Sequence, residues 1–198
     1  MLKIGITGGI GSGKTTVCKV FELQKIPVFY ADSQAKALMH TDQLLMEQIK
    51  NHFGSDVYSE QGVLNRKYLA AIVFSDEDML KKLNSFVHPA VFRAFDSWVL
   101  QQSSPYVIKE AALLFESGSF KKCDFTVLVT SPENLKVSRI IKRDSITADD
   151  VLKRMNKQLS DEEKEELADF VLCNDEKQLL IPQVLNLHNE FLNRSSSL

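Results

Sequence analysis

Apolar residues fall in two patterns along this chain. Leu2 to Thr7, Val28 to Ala31, Tyr106 to Ala111, Phe125 to Thr130 and Phe170 to Cys173 are short, largely apolar runs, which predict strands buried on both faces. Between them the spacing becomes helical. Lys14 to Gln24 sets Val17, Val20, Phe21 and Leu23 at core positions. A second helix is expected from Asp32 and Ser33, either of which can cap it, to about Phe53. Gly54 to Gly62 is rich in turn residues. Helical segments then follow at about Arg66–Phe74, Glu77–Phe86 and Pro89–Gln102. Ser131-Pro132-Glu133 reads as a helix start with Ser131 as cap and the proline at the first helical position. Ser160-Asp161-Glu162-Glu163 has the capping-box pattern. A closing helix is expected from Glu176 to Asn193, kinked or delayed by Pro182. The serine-rich end, Arg194 to Leu198, is expected to be disordered. Strands alternating with helices imply an α/β fold with a parallel, five-stranded sheet and right-handed crossovers. Its core pieces are about 1–32, 105–135 and 169–198, with helical insertions at about 33–104 and 136–168.

Composition narrows the class. The 198 residues are 44% hydrophobic and 25% charged, ordinary for a globular protein and too apolar for a disordered one. A formal net charge of −2 gives no broad electrostatic grip on nucleic acid. No apolar stretch approaches the length of a membrane span, and the N-terminal run lacks the apolar core and cleavage site of a signal peptide. The three cysteines, Cys18, Cys123 and Cys173, form neither a CxxC nor a Cys/His cluster. They read as buried apolar side chains in a reducing, cytoplasmic compartment.

One motif carries chemistry by itself. Gly8-Gly9-Ile10-Gly11-Ser12-Gly13-Lys14-Thr15 matches G-x-x-x-x-G-K-[ST], with an apolar strand before it and an amphipathic helix after it. Glycines let successive N–H groups turn inward, and these donors with the helix N-terminus hold a triphosphate. Lys14 reaches the β- and γ-phosphates, and the Thr15 hydroxyl suits Mg²⁺. No N-K-x-D tetrapeptide follows, so a guanine-specific switch is not indicated, and no transport-ATPase signature is present. Small size and two helical insertions favour a small-molecule kinase, one insertion for the acceptor and one to close over ATP and exclude water. A nucleotide-binding module that transfers nothing is the reading from another class.

Other residues are candidates with two readings each. Asp32, at the carboxyl end of the second strand, is either a helix cap or the base that orients an acceptor hydroxyl. Glu110, ending the third strand, either holds Mg²⁺ through water or makes a structural ion pair. Glu116 is similarly open, and Leu113-Leu114-Phe115 before it reads as core. Residues 136–157 hold seven Lys or Arg against three acids, with Arg139 and Arg143 one turn apart. That face is either solvated or a phosphate clamp. The acidic run Asp161 to Glu166 reads as a solvated helix face. His88 reads as structural or as part of an anion-binding insertion with Arg66, Lys67, Lys81, Lys82 and Arg93.

Taken together, these residues resemble the dephospho-coenzyme A kinase family over nearly the whole chain. The matching pieces are Gly5 to Lys14, Ala31-Asp32, Gly62 to Arg66, Leu83-Asn84, His88-Pro89 and Leu113 to Glu116. Arg139, Arg143, Arg154, Gln158, Lys164, Ala168-Asp169 and Asn174 complete the set. The resemblance implies a P-loop kinase with a helical CoA-binding insertion and a lid. It implies transfer of the ATP γ-phosphoryl group to the ribose 3′-hydroxyl of dephospho-CoA, the last step of coenzyme A synthesis, with Mg²⁺. On that resemblance Lys14, Asp32 and Arg139 are catalytic. ATP is held by Gly11, Ser12, Gly13, Lys14, Thr15, Thr16, Arg143 and Asn174. The acceptor is held by Thr7, Gly8, Asp32, Arg66, His88, Leu114 and Glu116, and the metal by Thr15 directly and Glu110 through water. The chain departs from the family pattern at Lys36, Ala112 and Lys136, where an arginine, a proline and a glutamine are usual.

Overall fold

β1 (Leu2–Thr7) takes the middle of a five-stranded parallel sheet in the computed structural model, which describes residues 1–196. It lies between β3 (Tyr106–Glu110) and β4 (Phe125–Thr130), with β2 (Val28–Tyr30) and β5 (Phe170–Cys173) at the edges, in the order β2-β3-β1-β4-β5. Leu2 stands opposite Tyr106 and Ile6 opposite Glu110, while on the other side Ile4 stands opposite Phe125 and Thr7 opposite Leu128. The chain winds from β1 first toward one edge and later toward the other. Ligands of open α/β sheets bind at the strands' carboxyl ends beside such a reversal, and the glycine-rich motif starts one residue beyond β1.

Alternation along β1 assigns its two faces. Leu2, Ile4 and Ile6 pack with Val17 and Phe21 of α1 (Lys14–Leu23) and with Val184 and Phe191 of α9 (Leu180–Ser195). Phe191 is fully buried and meets Tyr106 and Phe170 edge-on at 5.5 and 5.4 Å between ring centres. Burying one such ring contributes about 1.5–3 kcal/mol. On the other face a side chain at Gly5 would come within 2.7 Å of Leu114. Leu114 is fully buried there.

The described chain forms two compact units: residues 1–30 with the chain from 102 onward, and residues 31–101. The second is helical, with α2 (Ala31–Thr41), α3 (Gln43–Phe53), α4 (Arg66–Ser75) and α5 (Glu77–Val99). The helix expected to run to Phe53 is two helices. Asp42 breaks it by accepting the Leu45 N–H at 2.8 Å as the cap of α3 and by holding Arg93 of α5 at 2.9 Å. Conversely, α5 runs unbroken through Pro89. Leu83, Val87, Ala90, Val91, Phe95 and Val99 form one buried stripe on both sides of it, and that burial outweighs one lost backbone bond.

The remaining helices belong to the first unit: α6 (Glu133–Asp144), α7 (Ala148–Met155) and α8 (Asp161–Glu165). The expected capping box of α8 is present on Ser160 and Glu163. Ser131 does not cap α6. Pro132 occupies the cap position, and the Ser131 hydroxyl donates to the Asn174 carbonyl at 2.9 Å. The closing helix α9 begins at Leu180, which leaves Pro182 in its first turn, where no intrahelical N–H is needed. Arg194 and Ser195 are helical rather than disordered: the Arg194 guanidinium covers the Phe125 ring at 4.5 Å and bonds Glu190 at 2.6 Å. Ser197 and Leu198, also expected to be disordered, lie outside the described residues.

Candidate active site

The loop from Gly8 to Gly13 is shaped by left-handed glycines and by neighbours that leave no room for a side chain. Gly13 has φ 98° and lies against the Asn174 amide, so a Cβ would collide with Nδ2. Gly11 has φ 82°, and a Cβ there would sit 2.6 Å from the Lys136 carbonyl. The Ser12 N–H donates to the Gly9 carbonyl at 3.1 Å and closes the turn. Helix α1 then starts at Gly13 with no capping side chain and no acid in its first turn. Its N-terminus therefore presents backbone donors and a positive dipole end to an anion. Thr15 and Thr16 are exposed in that first turn. Lys14 folds back over the loop, Nζ donating to the Gly8 carbonyl at 2.8 Å and the Gly9 carbonyl at 3.3 Å. Ser12 Oγ is fully buried without a hydrogen-bond partner.

Two residues from the far end of the sheet, Asn174 and Arg139, brace this loop. Asn174, directly after β5, donates from Nδ2 to the Ser12 carbonyl at 2.7 Å. Arg139, on α6, donates to the Gly11 carbonyl at 3.3 Å, to Ser131 Oγ at 3.0 Å, to the Asn174 carbonyl at 3.2 Å and to Glu176 at 2.9 Å. Its guanidinium therefore stands beside the loop instead of on a solvated face. Arg143, one turn on, is exposed and forks onto Asp144 at 2.7 and 3.1 Å, where Arg154 also bonds at 3.1 Å.

Glu110 is buried at the carboxyl end of β3, opposite Ile6 of β1 and Tyr30 of β2. Its charge is felt by Cys18, whose thiol is pushed far above its ordinary range by burial first and then by Glu110 and Glu22, with Lys14 opposing. Glu110 and Lys14 thus act on the same small region behind the loop, and Cys18 is kept a neutral thiol. Among the described residues no three His, Cys, Asp or Glu side chains gather as a metal cage. The donor set that fits a divalent cation is the Thr15 hydroxyl with phosphate oxygens and water, the few-ligand manner in which Mg²⁺ is usually bound.

The segment after α7 is drawn against the loop. Gln158 Oε1 accepts the Ile10 N–H at 3.0 Å. Glu116 accepts the Leu159 N–H at 3.0 Å and faces Lys164 Nζ at 3.4 Å, so its carboxylate is engaged with this segment. Lys164 is fully buried. Asp161, expected on a solvated face, bonds Lys136 Nζ at 2.8 Å. Lys136, read with the basic cluster that was either solvated or a phosphate clamp, is itself buried. Behind the pair, between α6, α7 and α8, a cavity of about 560 Å³ is lined by Gly9, Ser131, Lys136, Met155 and Asp161 among others. Thr7 is buried at the end of β1, its hydroxyl 3.4 Å from the Ala112 carbonyl. The sequence signals for Ser131 and Asp161 were weak, since both sat in patterns that also describe helix starts.

Asp32, Arg66 and His88 lie in the helical unit. Asp32 is exposed in the first turn of α2, which starts at Ala31, so it is not the helix cap. Arg66 opens α4 beside its cap Asn65 and lies 3.4 Å from His40 Nε2. His88, on α5, lies 6.4 Å from the Phe92 ring.

Comparison with known proteins adds sequence-wide constraints. A family model described as Dephospho-CoA kinase matches residues 2–179. A dephospho-CoA kinase of Salinibacter ruber is 43% identical over 178 residues, covering 88% of this chain and 89% of that protein. A crystal structure from Thermus thermophilus is 34% identical and superposes with a TM-score of 0.85, over 96% of this chain and 97% of that one. A dephospho-CoA kinase structure from Campylobacter jejuni, 24% identical over 96% and 97% of the two chains, has the same fold at a TM-score of 0.70.

Proposed function

The chain belongs to the dephospho-CoA kinase family, and from that premise we propose that it transfers the γ-phosphoryl group of ATP to the ribose 3′-hydroxyl of dephospho-CoA, giving coenzyme A and ADP. The observation that carries the reading is the match over residues 2–179, joined to a phosphate loop whose helix N-terminus is uncapped. The triphosphate lies along the backbone donors of Gly11 to Thr16. Lys14 exchanges the Gly8 and Gly9 carbonyls for the β- and γ-phosphates. Asn174 keeps the Ser12 carbonyl turned away from the anion, and its backbone borders the adenine end. Asp32 orients the acceptor hydroxyl and takes its proton as the oxygen attacks phosphorus and the bond to the β-phosphate oxygen breaks. Arg139 supplies positive charge as that bond lengthens, and Arg143 leaves Asp144 for the phosphates when the lid closes. Acceptor binding is assigned, on the family reading, to Thr7, Gly8, Leu114, Glu116, Arg66 and His88. A kinase using ATP works with a divalent cation. Thr15 would hold Mg²⁺ directly and Glu110 would reach it through water, and the ion would supply charge neutralisation at the β- and γ-phosphates. Among the described residues no helix is long and apolar enough to cross a membrane. The three free thiols support a cytoplasmic setting.

The test is an acceptor panel read by ADP release: dephospho-CoA, nucleoside monophosphates and no acceptor. Release stimulated by dephospho-CoA alone is the expected result. Stimulation by a nucleoside monophosphate would reassign the acceptor, and acceptor-independent release would reduce the protein to an ATP-binding module.

A further inference from the structure

Three consecutive loop residues are each held by the segment between α6 and α8. A Cβ on Gly9 would lie 3.3 Å from Asp161 Oδ1 and 3.5 Å from Lys136 Nζ, so the ion pair rests directly on the loop backbone. The N–H of Ile10 is taken by Gln158, and Gly11 is covered by the Lys136 backbone. The pair itself is well shielded, with side-chain exposures of 8% for Lys136 and 20% for Asp161. Asp161 and Lys164 are three apart on α8 and share a face. Asp161 gives an acid to the buried lysine Lys136, and the buried Lys164 stands 3.4 Å from the carboxylate of Glu116. A five-residue helix has little intrinsic stability, so α8 depends on its Ser160–Glu163 capping box and on these two contacts. Removing one partner of a shielded pair leaves an uncompensated charge, which the neighbouring backbone must move to relieve. Here the neighbouring backbone is Gly9 to Gly11.

We propose that Lys136 and Asp161 are positioning residues: their ion pair ties α6 to α8 across the back of the phosphate loop and sets the Gly9–Gly11 backbone for the triphosphate. The proposal rests on the family reading only for the choice of acceptor. Both side chains lie against the backbone of Gly9. Their effect passes through the loop, where a displacement of about 1 Å in a reacting group lowers rate by about 10²-fold.

The experiment compares Lys136→Met, Asp161→Asn and the double variant in the full chain. Four quantities are read: the thermal melt, ATP binding by equilibrium titration, kcat and both KM values with dephospho-CoA, and residue-resolved amide exchange at Gly9 to Gly11. Each single variant should lose about 10- to 100-fold in kcat/KM for ATP. KM for dephospho-CoA should stay within about twofold, and the Ile10 and Gly11 amides should exchange faster. The double variant carries no unpaired charge and should regain most of the melting temperature. Its kcat/KM for ATP should stay low and its loop exchange fast, because the tie is still absent. Activity that returns together with the melt would show a purely structural pair and overturn the proposal. So would loop exchange unchanged from wild type, or a kcat/KM for ATP within about twofold in the folded variants. Should Lys136→Met not fold, Asp161→Asn carries the same readouts. A wild type that ignores dephospho-CoA would refute the family reading, while ATP titration and loop exchange would still decide this inference.

Discussion

Asp32→Asn separates chemistry from folding, and the structure fixes both magnitudes. Asp32 is exposed in the first turn of α2 and is not its cap, so Asn fits the same space with no cap bond to lose. What folding loses is one negative charge near a helix N-terminus, about 0.3–1 kcal/mol. For a chain of this size that moves the melting temperature by at most about 4 °C. If Asp32 takes the acceptor proton, Asn removes the base altogether and kcat falls by about 10²–10⁴. At about 1.4 kcal/mol per decade that is roughly 3–5.5 kcal/mol of barrier, several times the folding effect. ATP affinity should be unchanged, because the residue lies outside the phosphate loop. The assay is acceptor-dependent ADP release beside a thermal melt on one preparation. Turnover within about threefold of wild type would refute Asp32 as the base and leave its charge a minor helix-dipole contribution.

Lys14→Ala should lower kcat by about 10²–10³ with an intact melt, and steady-state rates near wild type would remove it from the mechanism. Arg139→Lys keeps charge but cannot reach the Gly11 and Asn174 carbonyls, Ser131 and Glu176 together. It should cost kcat more than acceptor KM, and an unchanged kcat would leave Arg139 a purely structural brace of the loop. Gly13→Ala meets Asn174 Nδ2 at a left-handed position, so it should destabilise by about 1–2 kcal/mol or more in urea titrations and weaken ATP binding. Normal ATP binding in a folded Gly13→Ala protein would contradict the close approach. Burial holds the His188 imidazole below its ordinary range, with Nδ1 2.7 Å from the Tyr106 hydroxyl. The unfolded chain then binds a proton that the folded chain does not, so stability falls as pH drops below about 6.5. His188→Gln should lack that component, and urea midpoints that run parallel in the two proteins across pH 5–7 would refute it.

The strands were legible because each is a short, largely apolar run, with β3 and β4 buried along most of their length, and the phosphate loop because its glycines obey a spacing set by an anion. Tertiary competition was not legible. Asp42 breaks a helix because its carboxylate serves a cap and Arg93 at once, a partner 51 residues away. Pro89 fails to break one because a buried stripe continues past it. Ser131 looked like a cap and instead bonds Asn174 across 43 residues. The same blindness affected the site. Lys136 and Asp161 each have the local character of surface residues, and only their meeting at 2.8 Å over Gly9 makes them buried partners. Glu116 carried no local sign that its carboxylate is engaged by Lys164 and Leu159.

The central strand is the first one in the chain, and this has a consequence for synthesis. β1 finds its partners only at Tyr106–Glu110 and Phe125–Thr130, and the loop that follows it is braced by Arg139 and Asn174. At about 5–20 residues per second, roughly 5–20 s separate the emergence of Leu2 from that of its first partner strand. Throughout that interval an apolar strand and its glycine loop wait unpaired, with α1 and the local helices of residues 31–101 able to form between them. The nucleotide site is thus translated first and assembled last. A ribosome-stalled chain that has exposed nothing beyond residue 105 should bind no ATP, and binding should first appear in chains that have exposed both Asn174 and α9, which covers β1.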